Sequence, residues 1–252
     1  MLCTVQSLTG NKVHAADGDL GTVEEFYFDD HTWTIRYMVV NTGNWLSGRK
    51  VLISPVALGT PDWQSKRLPV NLTMDQIRNS PDIDTEQPVA RHHEAELSQY
   101  YAWPMYWGSG FGIGGLYGMT PLPPIINERT MANHEASAHA RQGDPHLRST
   151  RNVAGYRIHA TDGEVGHVQD YIVDDEGWTI RFLIVDTRNW LPGRKVLLSP
   201  HWITQVDWAD SSVSVDLSRE SVQKSPVFDA SQPVSMADED TLYDYYGRPR
   251  PH

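Results

Sequence analysis

The chain has 252 residues and carries 32 Asp and Glu against 21 Lys and Arg, a formal net charge of −11. That balance sets aside sequence-independent binding to nucleic acid, which needs a basic face. A lone cysteine, Cys3, leaves no disulfide framework and no thiolate metal cluster; Met1 to Gln6 lack the basic and apolar regions of a signal peptide, so a cytoplasmic setting is expected.

In chain order, Asp17-Gly18 is a hairpin-turn dipeptide, and the β-branched and aromatic run Val23 to Phe28 predicts a strand. Asp29-Asp30 open a turn. Trp33, Ile35, Tyr37 and Val39 then alternate with Thr34, Arg36 and Met38, the period of a strand with one buried face. A longer turn, Asn44-Trp45-Leu46-Ser47-Gly48, leads into a strand at Lys50 to Ser54 that Pro55 ends. Thr73 to Pro81 has a capping threonine, an early acid and a proline stop, which predict a helix, and a second short helix is expected over Ala90 to Tyr101. Leu97 to Asn127 holds no charge and is long enough to raise a membrane span. Its glycines and prolines make a helix there costly, so it reads as an aromatic, Gly-rich linker. Packing of Trp103, Tyr106, Trp107, Phe111 and Tyr117 onto a barrel or a neighbouring subunit is the other reading. Asn127 to Thr150 reads as a polar tether.

The strand-rich segment then returns at an offset of 145 positions. Gly21, Trp33-Thr34-Ile35-Arg36 and Asn44-Trp45-Leu46-Ser47-Gly48-Arg49-Lys50-Val51-Leu52 recur as Gly166, Trp178-Thr179-Ile180-Arg181 and Asn189-Trp190-Leu191-Pro192-Gly193-Arg194-Lys195-Val196-Leu197. The repeat divides the chain into residues 1–104, a linker over 105–150, and residues 151–252, each half followed by a helical tail that closes on a Tyr-Tyr pair. Asp-Gly-x-x-Gly, two strands, then Asn-Trp-Leu-x-Gly-Arg-Lys-Val-Leu-x-Ser-Pro resembles the PRC-barrel family, which includes the cytoplasmic domain of the photosynthetic reaction centre H subunit and the C-terminal domain of a ribosome maturation factor. The resemblance implies a mainly β fold with short helices: two tandem small antiparallel PRC-type β-barrels joined by the Gly- and aromatic-rich linker. It further implies a non-catalytic adaptor or scaffold that binds a protein partner or the membrane surface, linked to stress responses. The alternative is an accessory protein of the H-subunit kind, taking part in electron and proton transfer in the light reaction. The H subunit carries a membrane helix ahead of its barrel, and the first barrel here is expected from about residue 8, which favours the adaptor.

Trp45 and Trp190 are expected to fold back as plugs over the barrel ends. The basic pairs Arg49-Lys50 and Arg194-Lys195 are candidates for an anion or an acidic partner, against solvated strand starts that pair with carboxylates such as Asp29-Asp30. Trp103 and Trp107 are candidates for an interaction surface. Arg36 and Arg181 either bridge a carboxylate or join an interface. No metal is expected: the adjacent His92-His93 diverge on a helix, and His134 and His139 stand one residue too far apart for a zincin pair. His14 and His159 read as structural. No nucleophile, phosphate loop or carboxylate pair suggests an enzyme or a cofactor, and the two similar halves predict a pairing, within the chain or between chains as a homo-oligomer, that buries part of Trp103 to Tyr117.

Overall fold

The computed structural model describes residues 1–82, 89, 91–106, 146–187, 194–230, 232 and 234–250. Trp107, Trp190, His134 and His139 lie outside these. The first half runs β1 (Leu2–Thr4), α1 (Val5–Leu8), β2 (Lys12–Ala15), β3 (Gly18–Asp29), β4 (Thr34–Asn41), β5 (Lys50–Ile53), β6 (Arg67–Pro69), α2 (Met74–Arg78) and α3 (Arg91–Tyr101). The second runs β7 (Leu147–Ser149), α4 (Thr150–Val153), β8 (Arg157–Ala160), β9 (Gly163–Asp174), β10 (Ile180–Asp186), β11 (Lys195–Leu198), β12 (Ile203–Asp207), β13 (Ser212–Val215), α5 (Arg219–Lys224) and α6 (Met236–Tyr246). The expected helices are present with their caps, α2 by a Thr73–Gln76 capping box and α6 by Ser235–Asp238.

The protein is mainly β with short helices, in two sheets. The first orders its strands β5-β4-β3-β2-β6 and the second β11-β10-β9-β8-β13-β12. Among the described residues neither sheet closes into a barrel, and β2 with β6, like β8 with β13, pairs parallel. The expected antiparallel pairing thus holds for most of each sheet, with these parallel pairs as the exception. The sheets bend through the long strands β3 and β9. The start of β3 pairs with β2 and the remainder with β4. Gly21 sits at that change of partner with φ +153°, where a Cβ would collide with the Asn41 carbonyl; Gly166 repeats this against Asp186.

The one-buried-face reading of β4 is corrected. Tyr27 pairs with Tyr37 but Phe28 with Ile35, so Arg36 is the extra residue of a β-bulge; Arg181 is bulged in the same way. The bulge resets the alternation. Ile35, Met38 and Val40 face the main core, while Tyr37 and Val39 face a smaller cluster with Leu52, Val89 and Leu97 beneath α3.

The halves exchange their first strands. β1 pairs with β9 of the second sheet (Leu2 opposite Asp174), and β7 pairs with β3 of the first (Leu147 opposite Asp29). Leu147 to Ser149, read as tether from the sequence, is therefore sheet. Cys3, the lone cysteine, is buried in β1, and burial pushes its thiol up to about 12. Between the sheets Ile35 N–H donates to Trp178 O and Ile180 N–H to Trp33 O, each at 2.7 Å. These reciprocal bonds place a pseudo-twofold axis between Thr34 and Thr179. Phe28 stacks on Trp33 at 5.2 Å and meets Tyr171 of the other half at 6.1 Å; Phe26 meets Trp178 at 6.0 Å. One continuous core thus spans both halves.

Candidate functional site

The charged residues of the repeated signature that are described bond within the chain. Asp17 accepts the Met74 N–H at 2.7 Å and so holds the start of α2; Asp162 holds Arg219 N–H of α5 likewise. Arg49 holds the other end of α2. It donates to the carbonyls of Ser80 (2.7 Å) and Pro81 (2.5 Å) and pairs with Asp82 (3.0 Å). Arg194 reaches the Ser225 carbonyl past the end of α5. Each short helix is therefore clamped at both ends onto its sheet, with a cation at its negative pole. Lys50 pairs with Glu24 at 2.9 Å rather than with Asp29 or Asp30, and Arg151 from the other half joins it at 3.1 Å. Burial pushes the Glu24 carboxyl up, but the two cations outweigh it and hold it below its ordinary range. Lys195 stands near Asp170, whose ionised form it favours.

Trp45 is half-buried against the core, and its Nε1 donates to Leu20 O at 2.6 Å. Trp103 stacks on Tyr101 at 4.2 Å. Arg36 lies 4.0 Å from the centre of the Tyr106 ring, and the Tyr106 hydroxyl donates to the fully buried Glu94 at 2.8 Å. In the second half Arg181 meets Glu239, the counterpart of Glu94, directly. His14 pairs with Asp19 at 2.7 Å.

Where the halves meet, the twofold produces two equivalent clefts. The larger, about 740 Å³, is lined by Thr34 to Tyr37, Ser54 to Val56, Leu58 to Pro61, Trp103 to Tyr106 and, from the other half, Asp175 to Trp178. The smaller, about 410 Å³, is lined by the counterparts: Asp30 to Trp33, Thr179, Ile180, Pro200, His201 and Ile203 to Val206. The two have diverged in chemistry. The larger gathers Met1, Val56 and Met105, which are 56%, 62% and 51% exposed. At the smaller, His201 stands where Val56 stands in the other, and His31 where Glu176 stands. Beside it Asp30, His31 and His146 bring ligand atoms within 4.8 Å of one another. Sequence reasoning missed this group because His31 and His146 lie far apart along the chain and meet only through the β3–β7 pairing.

Set against known protein families, residues 4–70 match the PRC-barrel domain. The first half contains a PRC-barrel domain. No curated protein matches the chain. The match runs from the last residue of β1 to the residue after β6, so it includes the Gly21 contact and Arg49, while α2 and the Arg49 partners at Ser80 to Asp82 follow it. His31 and Val56, which differ between the two clefts, lie within the matched span, and Met1 and Met105 lie outside it. No helix among the described residues is long and apolar enough to cross a membrane.

Proposed function

We propose that the protein is a non-catalytic adaptor: two PRC-type units, residues 4–70 and the equivalent 149–215, act as one rigid body and present the larger cleft to a protein partner. One observation carries this reading. Of the large apolar side chains exposed among the described residues, Met1, Val56 and Met105 share that one cleft, with Trp103 and Tyr106 beside them. An apolar floor rimmed by Arg36 and Glu176 suits an extended segment with an apolar anchor and a charged flank. The PRC-barrel domain suggests a protein-interaction module, which agrees. The bonding of these signature charges within the chain moves the interaction surface away from Arg49, Lys50 and Arg194 and onto the cleft. The twofold pairing that two similar units invite is met within the chain, so the adaptor works without a second copy. The photosynthetic alternative finds no specific support among the described residues.

A photo-crosslinking side chain at position 56 tests the proposal in cells. A discrete crosslinked protein is expected, suppressed by Met105→Glu and not formed from a probe at Thr204 in the smaller cleft. Equal crosslinking from both clefts would refute it. Retention on anionic vesicles that Met105→Glu abolishes would transfer the same cleft to a membrane surface.

A further inference from the structure

We propose that His31 and His146 bind a Zn²⁺-class transition-metal ion at the edge of the smaller cleft, with Asp30 as the group that orients the second histidine. The two Nε2 atoms lie 3.4 Å apart. Two nitrogens bound to one tetrahedral zinc at about 2.0–2.1 Å stand about 3.4 Å apart, so the ion fits between them without backbone movement. His146 Nδ1 faces Asp30 Oδ1 at 3.2 Å. With its proton on Nδ1 and donated to Asp30, His146 turns the lone pair of Nε2 toward His31. This is the carboxylate–histidine arrangement that fixes the tautomer and raises the basicity of a metal ligand.

The support extends outward. Asp30 is held by Arg148, whose Nε donates to its other oxygen at 2.9 Å, and the Arg148 guanidinium lies 3.9 Å from the centre of the Trp208 ring. Asp29, next in the chain, accepts from Thr32 N–H at 2.8 Å and from His31 N–H at 3.1 Å, which fixes the turn that carries His31. The His31 side chain itself is two-thirds exposed, so it can close on an ion at little more than the loss of rotamer freedom. Arg148 carries a positive charge that disfavours a nearby cation. It bonds the oxygen turned away from His146, however, and leaves the carboxylate charge to face the imidazole.

The comparison within the chain sharpens the assignment. At the twofold-related place, His31, His146 and His201 are replaced by Glu176, Met1 and Val56. The larger cleft therefore lacks the imidazole pair, and the donor set belongs to one side of the molecule. Imidazole nitrogens select zinc, copper and nickel over magnesium and calcium. Water completes the shell, and His201 on the facing lip is the nearest further imidazole within the cleft lining.

The test is calorimetric titration of the full chain with Zn²⁺, with Mg²⁺ as control. One saturable zinc site is expected. His31→Ala, an exposed position that leaves the core untouched, should weaken it at least tenfold, and Asp30→Asn about tenfold through loss of the orienting charge. His92→Ala should leave it unchanged. Zinc should also raise the melting temperature of the wild type but not of His31→Ala. Binding that is unsaturable, or that survives His31→Ala with the same affinity, would overturn the proposal.

Discussion

Phe28→Ala should destabilise both halves of the chain by the same amount. Phe28 is fully buried, stacks on Trp33 of its own half and touches Tyr171 of the other, and its backbone lies opposite Arg148 of the exchanged strand β7. Truncating a buried Phe to Ala costs about 3–5 kcal/mol, and two aromatic neighbours place this site in the upper part, about 4–5 kcal/mol. At about 2–4 °C per kcal/mol for a domain of this size, the melting temperature should fall by about 8–20 °C. Native-state hydrogen exchange read on peptides from β4 and β10 gives the decisive comparison. Because the core is continuous and each sheet holds a strand of the other half, both peptides should lose the same protection free energy. If β10 kept its wild-type protection while β4 lost several kcal/mol, the halves would be separate folding units and the coupling argued from the exchanged strands would fail.

Arg49→Ala strips several carbonyls past the end of α2 of a charged donor and should cost about 2–4 kcal/mol in urea unfolding, with Arg49→Lys recovering less than half because one ammonium cannot span them. For Asp170, burial pushes the carboxyl up to about 6, partly opposed by hydrogen bonds from the Tyr171 and Gln6 backbone and by the field of Lys195. The folded protein therefore holds this proton more tightly than the unfolded chain, and the stability it contributes below about pH 4 is lost as pH rises through 6. Asp170→Asn should accordingly stabilise the protein by about 2–3 kcal/mol at pH 8, with the difference closing toward pH 4 when urea midpoints are compared. Trp45→Phe removes the bond to Leu20 O and should cost about 1 kcal/mol; Trp45→Ala should cost about 2–3 kcal/mol, since the ring is only half-buried, and an unchanged melt would show that it closes nothing.

Local signals carried the three central strands of each half, the turns and both pairs of tail helices, because these depend on spacings of two to four residues that any window displays, whereas the short strands β2, β6, β8, β12 and β13 gave no such signal. Gly21 and Gly166 were legible as signature glycines, although their reason, a carbonyl from a strand twenty residues on, was not. The bulges at Arg36 and Arg181 were hidden for a similar cause: an apolar alternation reads identically until the partner strand shows where a residue is extra. The inward role of Arg49 depends on the end of α2, some thirty residues later, so its charge looked available from the sequence. Least legible was anything made by the exchange of β1 and β7. Three-residue strands carry almost no period, and the cleft, the shared core and the histidine pair all follow from their placement rather than from any motif.

The exchange also sets an order of events during synthesis. β1 is synthesised well before β9, its sheet partner among the described residues, which begins at Gly163. At about 5–20 residues per second, that partner follows about 8–30 s later. Throughout that interval Leu2 to Thr4 is unpaired, and the outer edge of β3 that β7 will cover stands open with Tyr27 and Phe28 on it. The nascent first half is thus the form of this protein most exposed to edge-to-edge association and to chaperones. A second nascent copy can offer the same edge the strand it lacks. Crowded polysomes should therefore favour an exchange between chains, one that the finished molecule completes within itself.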